Sequence, residues 1–256
     1  MELVFLEELV PYFVLLLNCG LFALIRSLTS QVTSKRWYLV VTEAIATWEL
    51  CAGVAELGVA YERHGIILYA LALLACCVWW CRVFGDAEAC PCGPIEDMLF
   101  GVGVGDYKAR LAGELIGAIF TALYIRVIWS LQLIREHHTL ATTVCQTSLA
   151  VTVRKGALIE GIITCISRFV AMRSTYWSPN VSTAINSITT VILVLAALTT
   201  TGGYFNPIMA SALMLGCEGN TLAEHFLVYW LGALIGGFFG HYFHFRLEIA
   251  IKEKCA

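Results

Sequence analysis

The apolar residues of this chain come in long blocks bounded by charged residues. A helix needs about 20 predominantly apolar residues to cross the hydrocarbon core of a bilayer. Seven blocks approach or exceed that length, at residues 9–25, 37–60, 65–84, 108–133, 156–172, 181–200 and 222–245. We therefore predict an all-α, multi-pass membrane protein.

Composition supports the same class of protein. Of the 256 residues, 59% are hydrophobic and only 14% are charged, which is too little charge to coat a surface that faces water. A soluble enzyme is thereby excluded. The formal net charge of −3 provides no basic field, so no nucleic-acid partner is expected.

Two shorter segments interrupt the pattern of spans. Residues 85–93 and 201–207 have a composition typical of flexible loops. Each segment includes an X-Pro step, and two or three turns of helix-compatible residues follow it. Proline is favoured at the first position of a helix, and Asn206 before Pro207 is a good N-cap. We predict two short helices, one after Pro91 and one after Pro207.

The two short helices belong to an internal repeat. Landmarks in the first half recur in the second at separations of 116 to 119 residues: Glu43 with Glu160, Cys90 with Asn206, Gly113 with Gly232, and Gly117 with Gly236. Each half holds three spans and one short helix, and this odd number of crossings inverts the second half relative to the first. The expected organisation is an N-terminal apolar helix and basic linker (1–36), a first repeat (37–134), a connecting loop (135–155), a second repeat (156–245) and a cytosolic tail (246–256).

Basic residues predict the orientation. If Arg26, Lys35 and Arg36 are cytosolic, alternation of the spans places 11 of the 16 basic residues at or near that face, together with the C-terminus. The N-terminus is on the far side if residues 9–25 span the membrane, and cytosolic if they lie on its surface. The sequence leaves both arrangements open.

The short helices imply a pore. Non-helical backbone at membrane depth is tolerated only where it is buried in protein or lines a watery cavity. Two helix N-termini meeting near the midplane would repel cations and leave neutral molecules unaffected. The Asn206 amide would donate hydrogen bonds to a passing molecule, whereas the Cys90 thiol would do so weakly.

These motifs resemble a known family. Gly202-Gly203-Tyr204-Phe205-Asn206-Pro207, together with the repeat, is similar to the second Asn-Pro-Ala loop of the aquaporins. Within that family, the chain is most similar to the unorthodox superaquaporin branch, which is largely intracellular. The similarity lies at Cys90-Pro91-Cys92-Gly93, Glu56-Leu57, Cys217 and residues 226–231. The resemblance implies a homotetramer of channels, each with six transmembrane helices and two re-entrant half-helices, here with an extra N-terminal apolar helix.

The chain departs from the family pattern at the pore. Ile208 replaces the alanine of the motif, and Met209 stands where members usually carry arginine. The resemblance assigns the other selectivity-filter positions to Ala70, Val194 and Gly203, all small or apolar. This implies a wider and more hydrophobic opening, suited to water and to neutral solutes such as glycerol or hydrogen peroxide.

Two buried carboxylates and a set of glycines have structural interpretations. By resemblance, Glu43 and Glu160 brace the loops, with a proton relay as the sharper alternative. Gly113, Gly117, Gly232 and Gly236 are spaced by four within their helices, which lets helices approach closely.

Cysteines and lysines complete the candidate residues. Cys217 is expected to be structural by resemblance. Cys90 and Cys92 lack a basic neighbour that would activate a thiol and lack further metal ligands, so we expect neither a metal nor another cofactor. Lys252 and Lys254 look like a dilysine retrieval signal, although two lysines after a span also serve as headgroup anchors. We expect the endoplasmic reticulum or another intracellular membrane, with the plasma membrane as the alternative.

The sequence thus predicts a passive channel with membrane lipid, water and small neutral solutes as its partners. The second hypothesis is a non-conducting scaffold of the endoplasmic reticulum, plugged by Ile208, Met209 and the sulfur groups. The third, a membrane enzyme that uses Cys90 or Cys92, has no reaction centre to recommend it, and we expect no enzymatic activity.

Overall fold

The structure is a computed structural model that describes residues 2–101 and 106–255. These residues form helices and connecting loops, and the predicted all-α membrane protein is confirmed. The helices are α1 (Glu2–Val32), α2 (Tyr38–Val83), α3 (Cys92–Phe100), α4 (Tyr107–Ser130), α5 (Arg135–Thr142), α6 (Val153–Ser174), α7 (Pro179–Ala197), α8 (Pro207–Met214), α9 (Leu222–His225), a π-helical segment (Phe226–Gly232) and α10 (Ala233–Cys255).

Five helical segments of the described chain are long and apolar enough to cross a membrane. They are Leu6–Val32, Tyr38–Val83, Tyr107–Ser130, Pro179–Ala197 and Leu222–Lys254. Helix α6 is also long enough, at 22 residues, but it carries more charge. Three of its charged side chains have partners inside the protein: Glu160 contacts a loop, Arg168 pairs with Glu96, and Arg173 pairs with Glu248.

Helix α2 contains two of the predicted spans. Its 46 residues would extend about 69 Å if straight, more than twice the thickness of the hydrocarbon core. Gly65 interrupts the helix with φ 75° and ψ −175°, a conformation that only glycine adopts without strain. The chain therefore crosses once before Gly65 and returns after it, as the blocks 37–60 and 65–84 predicted.

Helix α1 packs antiparallel to the first half of α2. Near its start Glu8 pairs with Arg63, in its middle Phe22 is fully buried, and near its end Arg26 pairs with Glu49. The sequence left open whether residues 9–25 cross the membrane. Because α1 follows α2 along this length, the packing favours a crossing.

The helices define two ends of the molecule. The first, which we call the disulfide end, holds Gly65, α5 and a disulfide between Cys145 and Cys217. The second, the α3 end, holds the end of α2, helix α3 and the α6–α7 turn.

Two segments outside the predicted spans are partly helical. Residues 135–155 were expected to be a loop, but Arg135–Thr142 form α5, whose His137 is fully buried against Glu56. The tail expected at 246–256 continues α10 as far as Cys255. Both segments are short and polar, so hydropathy alone does not reveal their helical structure.

Candidate functional site

The two X-Pro segments form short helices, as predicted. Helix α8 begins at Pro207, and the Asn206 side chain caps it by accepting a hydrogen bond of 3.3 Å from the Met209 backbone N–H. Helix α3 begins at Cys92, with Pro91 as the preceding cap residue. The proline therefore stands just before or at the first turn in both cases, where its missing N–H costs no helical hydrogen bond.

The loops that lead into these helices meet in the interior. The Asn206 Nδ2 donates a hydrogen bond of 2.7 Å to the main-chain oxygen of Ala89, across 117 residues of sequence. Ala89 and Phe205, which precede Cys90 and Asn206, both have positive φ values, of 51° and 33°. Non-glycine residues adopt such conformations only where the surroundings hold them. We call this meeting point the junction.

Buried carboxylates hold both loops. Glu160 accepts hydrogen bonds from the backbone N–H of Phe205 at 2.7 Å and of Tyr204 at 3.3 Å, and from the Thr201 hydroxyl at 2.5 Å. These contacts supply acceptors to backbone donors that have left regular helical structure.

Glu43 occupies the corresponding place in the other half. It accepts hydrogen bonds from the backbone N–H of Glu88 at 3.0 Å and of Ala89 at 2.9 Å, and it pairs with Arg110. Glu43 is 0% exposed, and Glu160 is 1% exposed.

The spaced glycines lie where helices touch. A Cβ at Gly113 would lie 2.5 Å from the Val40 carbonyl oxygen, and one at Gly117 would lie 2.5 Å from that of Ala44, so α4 approaches α2 closely. A Cβ at Gly232 would lie 2.7 Å from the Ala157 oxygen, and one at Gly236 would overlap the Gly161 oxygen. Gly232 and Gly236 thus let the π-helical segment and α10 pack closely against α6.

A cavity of about 1220 Å³ passes the junction. At the disulfide end its lining includes Glu62, Arg135 and Gln146, and at the junction it includes Cys90 and Asn206. At the α3 end it includes Glu88, Arg168 and Ala171. The cavity therefore borders residues from both ends of the helix bundle.

The expected pore residues divide between the cavity wall and the protein interior. Val194, Gly203 and Met209 line the cavity, with Cys90 and Asn206. Ala70 is not among the described lining residues, whereas Tyr69 and Leu73, on the same helix, are. Pro207, Ile208 and Cys92 are buried but also lie outside the described lining.

The remaining predicted residues lie away from the junction. Cys217 is bonded to Cys145, which links the loop before α6 to the loop after α8. Lys252 and Lys254 are exposed in the last turn of α10.

The sequence did not predict two contacts between side chains inside the protein. His137 Nε2 lies 3.1 Å from Glu56 Oε1, and Arg168 forms hydrogen bonds to both carboxylate oxygens of Glu96. Each joins residues 72 or more apart in sequence. The only available signal was the presence of charged residues inside apolar blocks.

An all-helical, multi-pass bundle with two short helices meeting beside a cavity defines the class of channel-like membrane proteins. Comparison with known proteins gives a narrower result. The chain is 28% identical to aquaporin-11 of Milnesium tardigradum over 200 residues, 77% of this chain and 72% of that protein. It is 26% identical to aquaporin-11 of Homo sapiens over 203 residues, with 77% and 73% covered.

A putative aquaporin-10 of Caenorhabditis elegans is 26% identical over 252 residues, 90% of this chain and 84% of the relative. No protein-family model matches the chain. The matches confirm the resemblance to the aquaporin family and to its superaquaporin branch. They support an integral membrane channel of the aquaporin type.

Proposed function

We propose that this protein is a passive transmembrane channel for water and small neutral solutes such as glycerol and hydrogen peroxide. The observation that carries the proposal is the cavity of about 1220 Å³, which borders residues of both ends and passes the junction. A watery path beside non-helical backbone satisfies polar groups that lipid would leave unpaired.

The path runs between two inverted repeats, with α3 and α8 as half-helices that enter from opposite faces. The support is a set of matched contacts. Glu43 and Glu160 each accept backbone hydrogen bonds from the loop of their own half, and Gly113 and Gly232 each lie against the first helix of their half. The two carboxylates act as braces of the loops, since each is surrounded by donors.

The selectivity of this path depends on apolar and weakly polar groups. Val194, Gly203 and Met209 line the cavity, and so does Tyr69, the neighbour of Ala70. Asn206 offers less to a solute than its type implies, because one amide N–H is engaged by Ala89 and the amide oxygen caps α8. A solute without charge crosses such a lining at the lowest desolvation cost.

The channel resides in the endoplasmic reticulum as a homotetramer, with its C-terminus in the cytosol. Lys252 and Lys254 are exposed in the last turn of α10, on the side that this orientation puts in the cytosol. The disulfide end then faces the lumen, where a bond such as Cys145–Cys217 persists.

Purified protein in liposomes tests the channel. Stopped-flow shrinkage in an impermeant osmolyte should be faster than that of empty vesicles, and glycerol and peroxide entry should be measured on the same preparation. The alternative is a non-conducting scaffold, which the commitment of the Asn206 amide to Ala89 favours. Rates equal to those of empty vesicles for all three solutes, with the disulfide intact, would replace the channel by the scaffold.

A further inference from the structure

The cavity wall carries a partly buried arginine that no pore motif assigns. Two arginines are among its described lining residues, Arg135 and Arg168. Arg135 is exposed at the disulfide end, where water and salt screen its charge. The side chain of Arg168 is only 25% exposed. Its charge therefore acts across the cavity with less screening.

Arg168 lies beyond the junction, on the opposite side from the start of α6. It is eight residues after Glu160, which places it about 12 Å farther along the helix axis. Glu160 contacts the loop before α8, whereas Arg168 contacts Glu96 of α3. The guanidinium thus stands in the half of the cavity that belongs to the α3 end.

A carboxylate fixes the direction of the guanidinium. Arg168 Nε lies 2.9 Å from Glu96 Oε1, and Nη2 lies 2.7 Å from Glu96 Oε2. Such a two-point contact holds a planar guanidinium in one orientation. The third nitrogen, Nη1, has no hydrogen-bond partner in the described part of the chain, and its ion-pair contact with Glu88 is long, at 3.9 Å.

The two carboxylates near Arg168 differ in their exposure to the cavity. Glu96 is 4% exposed and is not among the described lining residues, whereas Glu88 is 29% exposed and lines the cavity. Without Arg168, the charged group facing this half of the cavity would be a carboxylate, which attracts cations.

We propose that Arg168, clamped by Glu96, contributes to the exclusion of protons and other cations from this pore. It supplies the fixed positive charge that Met209 does not, from α6 instead of α8. The proposal rests on the proposed function, since only a conducting pore needs such a barrier. An arginine at a pore wall excludes cations because its charge does not depend on pH and raises their energy in the pore.

The test replaces the ion pair as a unit. Arg168→Gln alone would strand the buried Glu96, so the main variant is Glu96→Gln/Arg168→Gln. The matched control is Arg173→Gln/Glu248→Gln, because Arg173 lies on the same helix, pairs with a carboxylate at 2.5 Å and is not among the described lining residues. Arg168→Lys is the variant that keeps the charge.

Proton entry is followed in dye-loaded liposomes under a potassium diffusion potential, with water flux measured on the same vesicles. We expect the main variant to admit protons at least tenfold faster than the wild type, which corresponds to about 1.4 kcal/mol of barrier. The control and Arg168→Lys should stay as tight as the wild type. A main variant that conducts water yet remains equally proton-tight would overturn the assignment of Arg168. A wild type that conducts no solute would instead remove the proposed function.

Discussion

The side-chain amide of Asn206 donates a hydrogen bond of 2.7 Å to the main-chain oxygen of Ala89. This contact ties the loop before α8 to the loop before α3, beside the cavity. It makes the geometry of each loop depend on the other, and it explains why both loops need buried acceptors behind them.

Removal of a loop-holding carboxylate should destabilise the protein. Glu160→Ala leaves the Phe205 and Tyr204 N–H groups and the Thr201 hydroxyl without their acceptor. We expect the free energy of unfolding to fall by at least about 3 kcal/mol, since each unpaired buried donor costs about 1–3 kcal/mol. Denaturant titration in detergent micelles measures the change.

Glu43→Ala should act in the same direction, because it strands the N–H groups of Glu88 and Ala89 and also Arg110. Glu253→Ala, at an exposed position of α10, should change the free energy by no more than about 0.5 kcal/mol. Equal effects of all three substitutions would argue against the bracing role.

The bond between Cys145 and Cys217 closes a separation of 72 residues. Cys217→Ser should lower the free energy of unfolding by about 2–4 kcal/mol, because the unfolded chain gains freedom. Cys145→Ser and the double variant should lose the same amount, and Cys165→Ser, which alters a free thiol, should lose less. Thiol alkylation with and without reductant counts the bonded cysteines, and full labelling without reductant would refute the bond.

Close packing of α10 on α6 depends on Gly236, where a Cβ would overlap the Gly161 carbonyl oxygen. Gly236→Ala should separate the two helices and lower the thermal unfolding midpoint by several degrees. Gly58→Ala offers the matched control, because a Cβ there meets nothing within 4 Å and alanine is favoured in a helix by about 0.5–1 kcal/mol. A midpoint raised by both substitutions would contradict the packing argument.

Met209 lines the cavity, at the position where the family resemblance leads one to expect arginine. Met209→Arg adds a bulky guanidinium near the junction, so glycerol entry should fall more than water flux, by about tenfold in the ratio of the two. Solute-by-solute flux in liposomes measures this ratio. A uniform loss of both fluxes, or no change, would count against a filter at position 209.

The sequence predicted the parts of the fold that have a local signature. Hydropathy located the spans, and the X-Pro steps located α3 and α8, because proline and an N-cap residue act on their immediate neighbours. It did not predict α5, whose position depends on His137 being buried against Glu56, 81 residues away in sequence. Contacts between distant side chains have no periodicity that a single sequence can display.

The sequence predicted the candidate site to a similar extent. Glu43, Glu160 and the glycines stood out because charge and small residues recur at a fixed separation in the two halves. The resemblance assigned a filter position to Ala70, and its neighbour Tyr69 is among the described lining residues.

The central claim is that solutes cross through the cavity beside the junction, and a bulky residue on its wall tests this claim most directly. Val194 lines the cavity, and Ile192, on the same helix, is 60% exposed on the outer surface. We predict that Val194→Trp reduces water flux in liposomes to the rate of empty vesicles, while Ile192→Trp leaves it unchanged. Undiminished flux through a folded, disulfide-bonded Val194→Trp protein would contradict the account.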